Sequence, residues 1–210
     1  MLFHLLNVIT AYTPNKFSKQ IKKATKQRHD AIESHPFMQA MIDGSLSDFK
    51  YAIYLANLLP IYKAVEMFLF TKNLNPNIVQ SKKILDDLSS YSQILNFKFD
   101  LESCPQINFT NEWLMYFLSK SDFYKKVELY IRWLADMYGG QILKRNITFT
   151  NKYEFINLRQ CIQQVRQQIE QGLNETNVDL FIAEVNKAYE FHHKLADKIH
   201  ACSEQCIRDA

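Results

Sequence analysis

Apolar and polar residues alternate along this 210-residue chain with a helical period almost throughout. Thr13-Pro14, a capping residue with proline at the first helical position, opens a helix that runs to about Ser34. Phe17, Ile21, Ala24, Ala31 and Ile32 form its apolar stripe. His35-Pro36 breaks it, a short helix continues to Met41, and Asp43-Gly44 turns the chain. Ser45 or Ser47 then caps SDFKYAIYLANLLPIYKAVEMFL, which Pro60 is expected to kink. Asn75-Pro76 opens a further helix to about Tyr91. NFKFDLESCPQINF reads as irregular, 111–119 as a short helix, 122–148 as a long one and 151–171 as another. Gly172 and Asn174 punctuate before a last helix over 177–207. The pattern holds no repeat and no strand alternation, and predicts one all-α domain of about seven or eight helices.

Composition changes this picture little. The chain is 47% hydrophobic and 22% charged, ordinary for a globular protein, and its four glycines and five prolines leave few turns. A formal charge of +3 is too small to argue for a nucleic-acid partner. Cys104, Cys161, Cys202 and Cys206 form no C-x-x-C pair; the last two, one turn apart, read as idle thiols or as half of a zinc site. A reduced, cytoplasmic protein is expected. MLFHLLNVIT is too short to span a membrane, so residues 1–12 read as an apolar arm on a domain over 13–210.

Two of the glycines, Gly139 and Gly140, stand together inside YIRWLADMYGGQILKRNI. Each costs a helix interior about 1 kcal/mol relative to alanine. The apolar pattern continues through Ile142, Leu143 and Ile147, which predicts a bent helix rather than a stop. On that helix Gly139 and Gly140 share a face with Asp136, and Arg132, one turn earlier, is placed to pair with the aspartate. Such a bare face serves either tight helix–helix packing or the close approach of a flat ligand with polar chemistry at its edge.

In KQIKKATKQRHDAIE, His29 borders the apolar stripe, and Lys22 lies in line with it about 10 Å away along the axis. The pair reads as packing beside a solvated lysine face, or as a haem-iron ligand with a cation for a propionate. Lys16, Lys19, Lys22, Lys23 and Lys26 read either as that solvated face or as a dock for an acidic electron donor.

Taken together these segments resemble the haem oxygenase family. ATKQRH, residues 24–29, is similar to its proximal motif, and YIRWLADMYGGQILKR to its distal-helix signature. LANLLPIYKAVE, 55–66, resembles its third helix and 182–195 its last, so the likeness covers roughly 15–200. The resemblance implies a single-domain all-α fold with haem between the first helix and a kinked distal helix. It implies oxidative opening of haem b, substrate and cofactor at once, to biliverdin, carbon monoxide and ferrous iron. The reaction draws on O2 and on electrons from ferredoxin or an NAD(P)H-dependent reductase. His29 would be the iron ligand; Asp136 would organise the distal water network with Arg132, Tyr62 and Glu66. Gly139 and Gly140 would admit the haem plane, and Lys22, Tyr130 and Arg159 would meet the propionates.

Three departures accompany the resemblance. Ala135 stands where the family usually has glycine, and Tyr138 replaces a small residue beside the glycine pair. Gln163 falls where an arginine commonly holds a propionate, with Arg166 nearly one turn on as its substitute. These leave open a haem carrier or sensor that performs no turnover. A different enzyme on the same scaffold, using His192, His193 and Glu190, is a further alternative.

Overall fold

The computed structural model describes residues 16–70, 76–96, 107–147 and 150–203. Every regular element among them is helical. Helix α1 spans Lys16–Glu33 and α2 spans Pro36–Asp43. His35 separates them on extended backbone, and its Nδ1 accepts the Phe37 N–H at 3.1 Å, capping α2 just ahead of Pro36. Gly44, at φ +80°, takes the left-handed conformation that ends α2. The expected opening of α1 at Thr13-Pro14 and the apolar arm lie outside the described residues.

Helix α3, Asp48–Phe70, is apolar on every side and forms the centre of the fold. Ser47 is its cap, accepting the Lys50 N–H at 3.3 Å. The helix stays unbroken through Pro60. Among the described residues it is the one helix long and apolar enough to cross a membrane, and 72% of that window is buried, as in a core helix.

The next helix begins later than its proline suggested. Pro76–Ile78 makes a single 3-10 turn, and α4 runs Ser81–Ile94. Its start is fixed from outside the segment: Glu66 of α3 accepts the backbone N–H groups of Gln80 at 2.6 Å and Ser81 at 2.9 Å. Helix α5, Ile107–Leu118, starts earlier than expected.

The long helical run then proceeds in four pieces: α6 (Asp122–Glu128), a π-helical turn (Leu129–Trp133), α7 (Leu134–Tyr138) and α8 (Gly140–Leu143). Gly139 keeps helical angles, φ −73° and ψ −36°, so the glycine pair does not stop the run. It ends at Leu143, short of the predicted 148.

Residues 151–157, expected as the first turns of a helix, form a loop, and α9 covers only Leu158–Glu170. Asn157 enters α9 in the left-handed region, φ +55°. Asp87 of α4 holds the start of this loop, accepting the N–H groups of Asn151 at 2.7 Å and Lys152 at 3.1 Å. Helix α10 spans Val178–Ala201 and ends short of the predicted 207; residues 204–210 lie outside the description. Helix α1 lies along α10, while α3 packs on α4, α5, α6 and α10. Cys161 is buried and Cys202 half-buried, and neither is in a disulfide; Cys104 and Cys206, and with it the zinc half-site, lie outside the described residues.

Candidate functional site

Two walls concern the site: α1 and the run 129–143. On α1, Ile21 and Thr25 are buried against the core and His29 stands one turn beyond them, its side chain 56% exposed. His29 Nδ1 lies 3.7 Å from Asp30 Oδ1 and 3.7 Å from Glu33 Oε2. A ring whose Nδ1 faces carboxylates presents Nε2 as its free ligand atom. The ring meets Tyr189 of α10 edge-on, centroids 6.2 Å apart. Lys22 is exposed two turns earlier.

The second wall divides into two faces. Ala135 is exposed and Gly139 half-buried, one turn apart. A Cβ on Gly139 would approach only its own helix, the Ala135 carbonyl oxygen at 3.1 Å. This strip is bare. Arg132, Asp136 and Gly140 are buried on the interior side. The expectation that both glycines serve one flat ligand is therefore corrected: Gly140 is packed by protein. A Cβ there would lie 2.9 Å from Cγ of the Tyr153 ring and nearer still to its Cδ1. Tyr153 is itself 2% exposed and cannot retreat easily. Gly140→Ala is expected to destabilise the fold by about 1–3 kcal/mol, read as a lowered midpoint in denaturant, whereas Gly139→Ala leaves that midpoint close to the parent value.

Behind the bare strip lies a buried polar cluster. Asp136 Oδ1 is 2.5 Å from the Lys152 ammonium, and the Tyr62 hydroxyl donates to Asp136 Oδ2. Lys152 also lies over the rings of Tyr153, at 4.5 Å, and Tyr62, at 5.0 Å. Burial drives the Lys152 pKa down to about 8 against the pull of Asp136. Burial raises the Tyr62 phenol well above its ordinary value, and Asp136 adds to this.

Arg132 does not make the predicted pair with Asp136. It donates from Nη1 to the Tyr54 hydroxyl at 2.6 Å. The π-helical turn that contains Arg132 displaces the one-turn register on which that pairing relied. Burial acts against the guanidinium charge, but Tyr54, Tyr62, Asp136 and Glu128 raise its pKa and keep it charged. Glu66 is a second correction. Its carboxylate is taken by Gln80, Ser81 and the Ser81 hydroxyl, so it caps α4 instead of joining Asp136.

The groups expected around propionates are distributed unevenly. Burial raises the pKa of the Tyr130 phenol, with Thr25 of α1 acting against the shift. Arg166 is half-buried and donates to the Tyr138 hydroxyl from Nε at 3.2 Å and Nη2 at 3.0 Å. Arg159 is exposed on α9. The alternative cluster is not assembled. His192 is buried with Nε2 3.3 Å from Glu128 Oε2, and burial and the Arg132 charge drive its pKa down to about 4. Glu190 instead pairs with Lys194 at 2.7 Å. His193 meets Asp197, which also accepts from His35 Nε2 at 2.9 Å. Since His35 Nδ1 accepts the Phe37 N–H, Nε2 carries the proton, and the trio clasps helices rather than offering a ligand set.

Lys152, Tyr153, Tyr54 and Tyr189 were not predicted at the site. No local signal marks them: a lysine at the polar start of an expected helix reads as solvated, and only the Asp87 contacts turn this one inward.

A family model described as heme oxygenase matches residues 15–198. A heme oxygenase of Pyropia yezoensis is 22% identical over 216 residues, covering 92% of this chain and 90% of that protein. The fold resembles heme oxygenase-2 from Synechocystis sp., solved with heme and NO, at a TM-score of 0.72 and 20% identity over 92% of this chain and 91% of that one. It also resembles heme oxygenase-1 from the same cyanobacterium, solved with heme, at 0.68 and 18% identity over 93% and 95%. The match over nearly the whole helical domain makes this chain a member of the haem oxygenase family.

Proposed function

We propose that this protein binds haem b between α1 and the run 129–143 and opens it oxidatively to biliverdin, carbon monoxide and ferrous iron. O2 is the oxidant, and ferredoxin or an NAD(P)H-dependent reductase supplies the electrons. One observation carries the reading. An exposed imidazole, with Nδ1 turned to carboxylates, stands on α1, and the run 129–143 carries a bare strip at Ala135 and Gly139. A flat ligand with a central metal fits that combination, and an ordinary helix–helix contact leaves no such strip.

Each residue has a part in that chemistry. His29 Nε2 is the iron ligand, oriented by Glu33 and Asp30 at its other nitrogen. Gly139, and Ala135 with only a methyl, let the porphyrin face lie against backbone. Haem supplies the iron at which O2 is activated. Asp136 and the Tyr62 hydroxyl hold protons behind the bare strip and deliver them through water. Arg132 serves this unit through Tyr54 and its charge. Lys22, Arg159, Arg166 and Tyr130 are the groups for the propionates. Arg166 bonded to Tyr138 places a cation at the edge of that strip, where the family's usual arginine is absent. The lysines of α1 form the face for the electron donor.

Aerobic incubation with hemin and ascorbate, or with reduced ferredoxin, tests the reading. Stoichiometric hemin uptake is expected, followed by loss of the Soret band and growth of bilin absorbance. Uptake with a persistent Soret band would mark a carrier or sensor. No uptake would end the proposal.

A further inference from the structure

Lys152 is the least expected group in the molecule. Its side chain is 1% exposed, yet it carries an ammonium into the interior beside Asp136. Burying such an ion pair is costly, and apolar residues of similar volume commonly serve stability as well or better. The fold nevertheless builds its position with care. Asp87 takes the N–H groups of Asn151 and Lys152 and the Asn151 side-chain amide at 2.8 Å, which fixes the loop with Lys152 pointing inward. Tyr62 and Tyr153 supply aromatic faces to the ammonium.

The consequence falls on Asp136. One carboxylate oxygen is held by Lys152 and the other by Tyr62. The carboxylate cannot turn toward the bare strip without leaving a buried cation uncompensated. We propose that Lys152 is a positioning residue of this site: it pins Asp136 inward and cancels its charge, so that the haem pocket faces a neutral proton-holding unit in place of a bare anion. This rests on the haem-degrading reading above. Lys152 acts through Asp136 and touches no ligand itself. The charged and titratable groups around it are Asp136 on α7, Arg132 on the π turn, Tyr62 on α3, Asp87 on α4 and Tyr153 on its own loop.

The test compares K152M, K152R and the double variant D136N/K152M. In K152M the buried carboxylate loses its cation, which favours its neutral, protonated form. Infrared difference spectra of the apoprotein at pH 6 are expected to show a protonated-carboxyl band in K152M. The band should be absent from K152R and from the double variant. In the hemin-loaded protein, turnover of K152M falls about tenfold or more, the usual weight of a group behind the first contacts of a site. Hemin affinity stays within about twofold, and K152R recovers part of the rate. Turnover in K152M equal to the parent, or a carboxyl band that persists in the double variant, would overturn the proposal. If K152M does not fold, K152R and the double variant decide it: K152R must keep turnover well above the double variant, and equal rates in the two would overturn the proposal. A parent protein that takes up no hemin would sink the functional reading and leave the infrared result standing.

Discussion

His29→Ala is expected to leave the fold intact and to remove the group that holds haem iron. The two halves of that expectation have separate causes. The imidazole is mostly exposed and meets its neighbours only edge-on or at 3.7 Å, so its loss should change stability by no more than about 0.5 kcal/mol. The ligand bond, by contrast, has no replacement among the described histidines on α2's cap and the middle of α10. His35 and His192 are buried and engaged with Asp197 and Glu128, and His193 belongs to the same clasp as His35. Hemin affinity should fall by about a hundredfold, roughly 2.7 kcal/mol, with loss of the parent's ferric absorption spectrum and of turnover. Added imidazole should restore the spectrum. A ferric spectrum identical to the parent's would show that iron is bound elsewhere.

The place of His29 at the exposed edge of α1 is legible in the sequence because a helical stripe places its edge residues reliably. The reading of α1 needed only a period and a break at His35-Pro36, both of which are local. The glycine pair was half legible. Periodicity showed that the helix continues, but not which glycine faces protein and which faces open space. That depends on Tyr153, whose position is set by a loop the pattern had assigned to a helix. Glu66 and Arg132 were misplaced for related reasons. A carboxylate on α3 caps a helix whose start is not encoded in its own segment, and a π turn shifts a register that the ideal helix predicts. Contacts of this kind are made between elements, and no window of residues contains them.

The second large effect concerns Asp136, and the simplest variant would mislead. Asp136→Ala removes the carboxylate but leaves the Lys152 ammonium buried and unpaired. Breaking a buried pair in this way costs about 3–5 kcal/mol, so a loss of activity in that variant would mix unfolding with chemistry. D136N and K152M should each lower the denaturation midpoint substantially. The double variant D136N/K152M should recover most of the loss, because neither charge then lacks its partner. The pH dependence gives an independent sign. Lys152 has its native pKa lowered to about 8, below that of a free lysine near 10.4. Between those values the unfolded chain binds more protons than the native one, so unfolding free energy rises with pH. The penalty of holding the ammonium buried is fully present below pH 8 and is relieved above it. Relative to K152M, the parent should therefore gain stability from about pH 8 to pH 10, by up to about 3 kcal/mol. Chemical denaturation of the apoprotein at pH 7, 8, 9 and 10 measures it. A parent-minus-variant difference that is flat across this range would mean that burial does not depress the Lys152 pKa in the native protein.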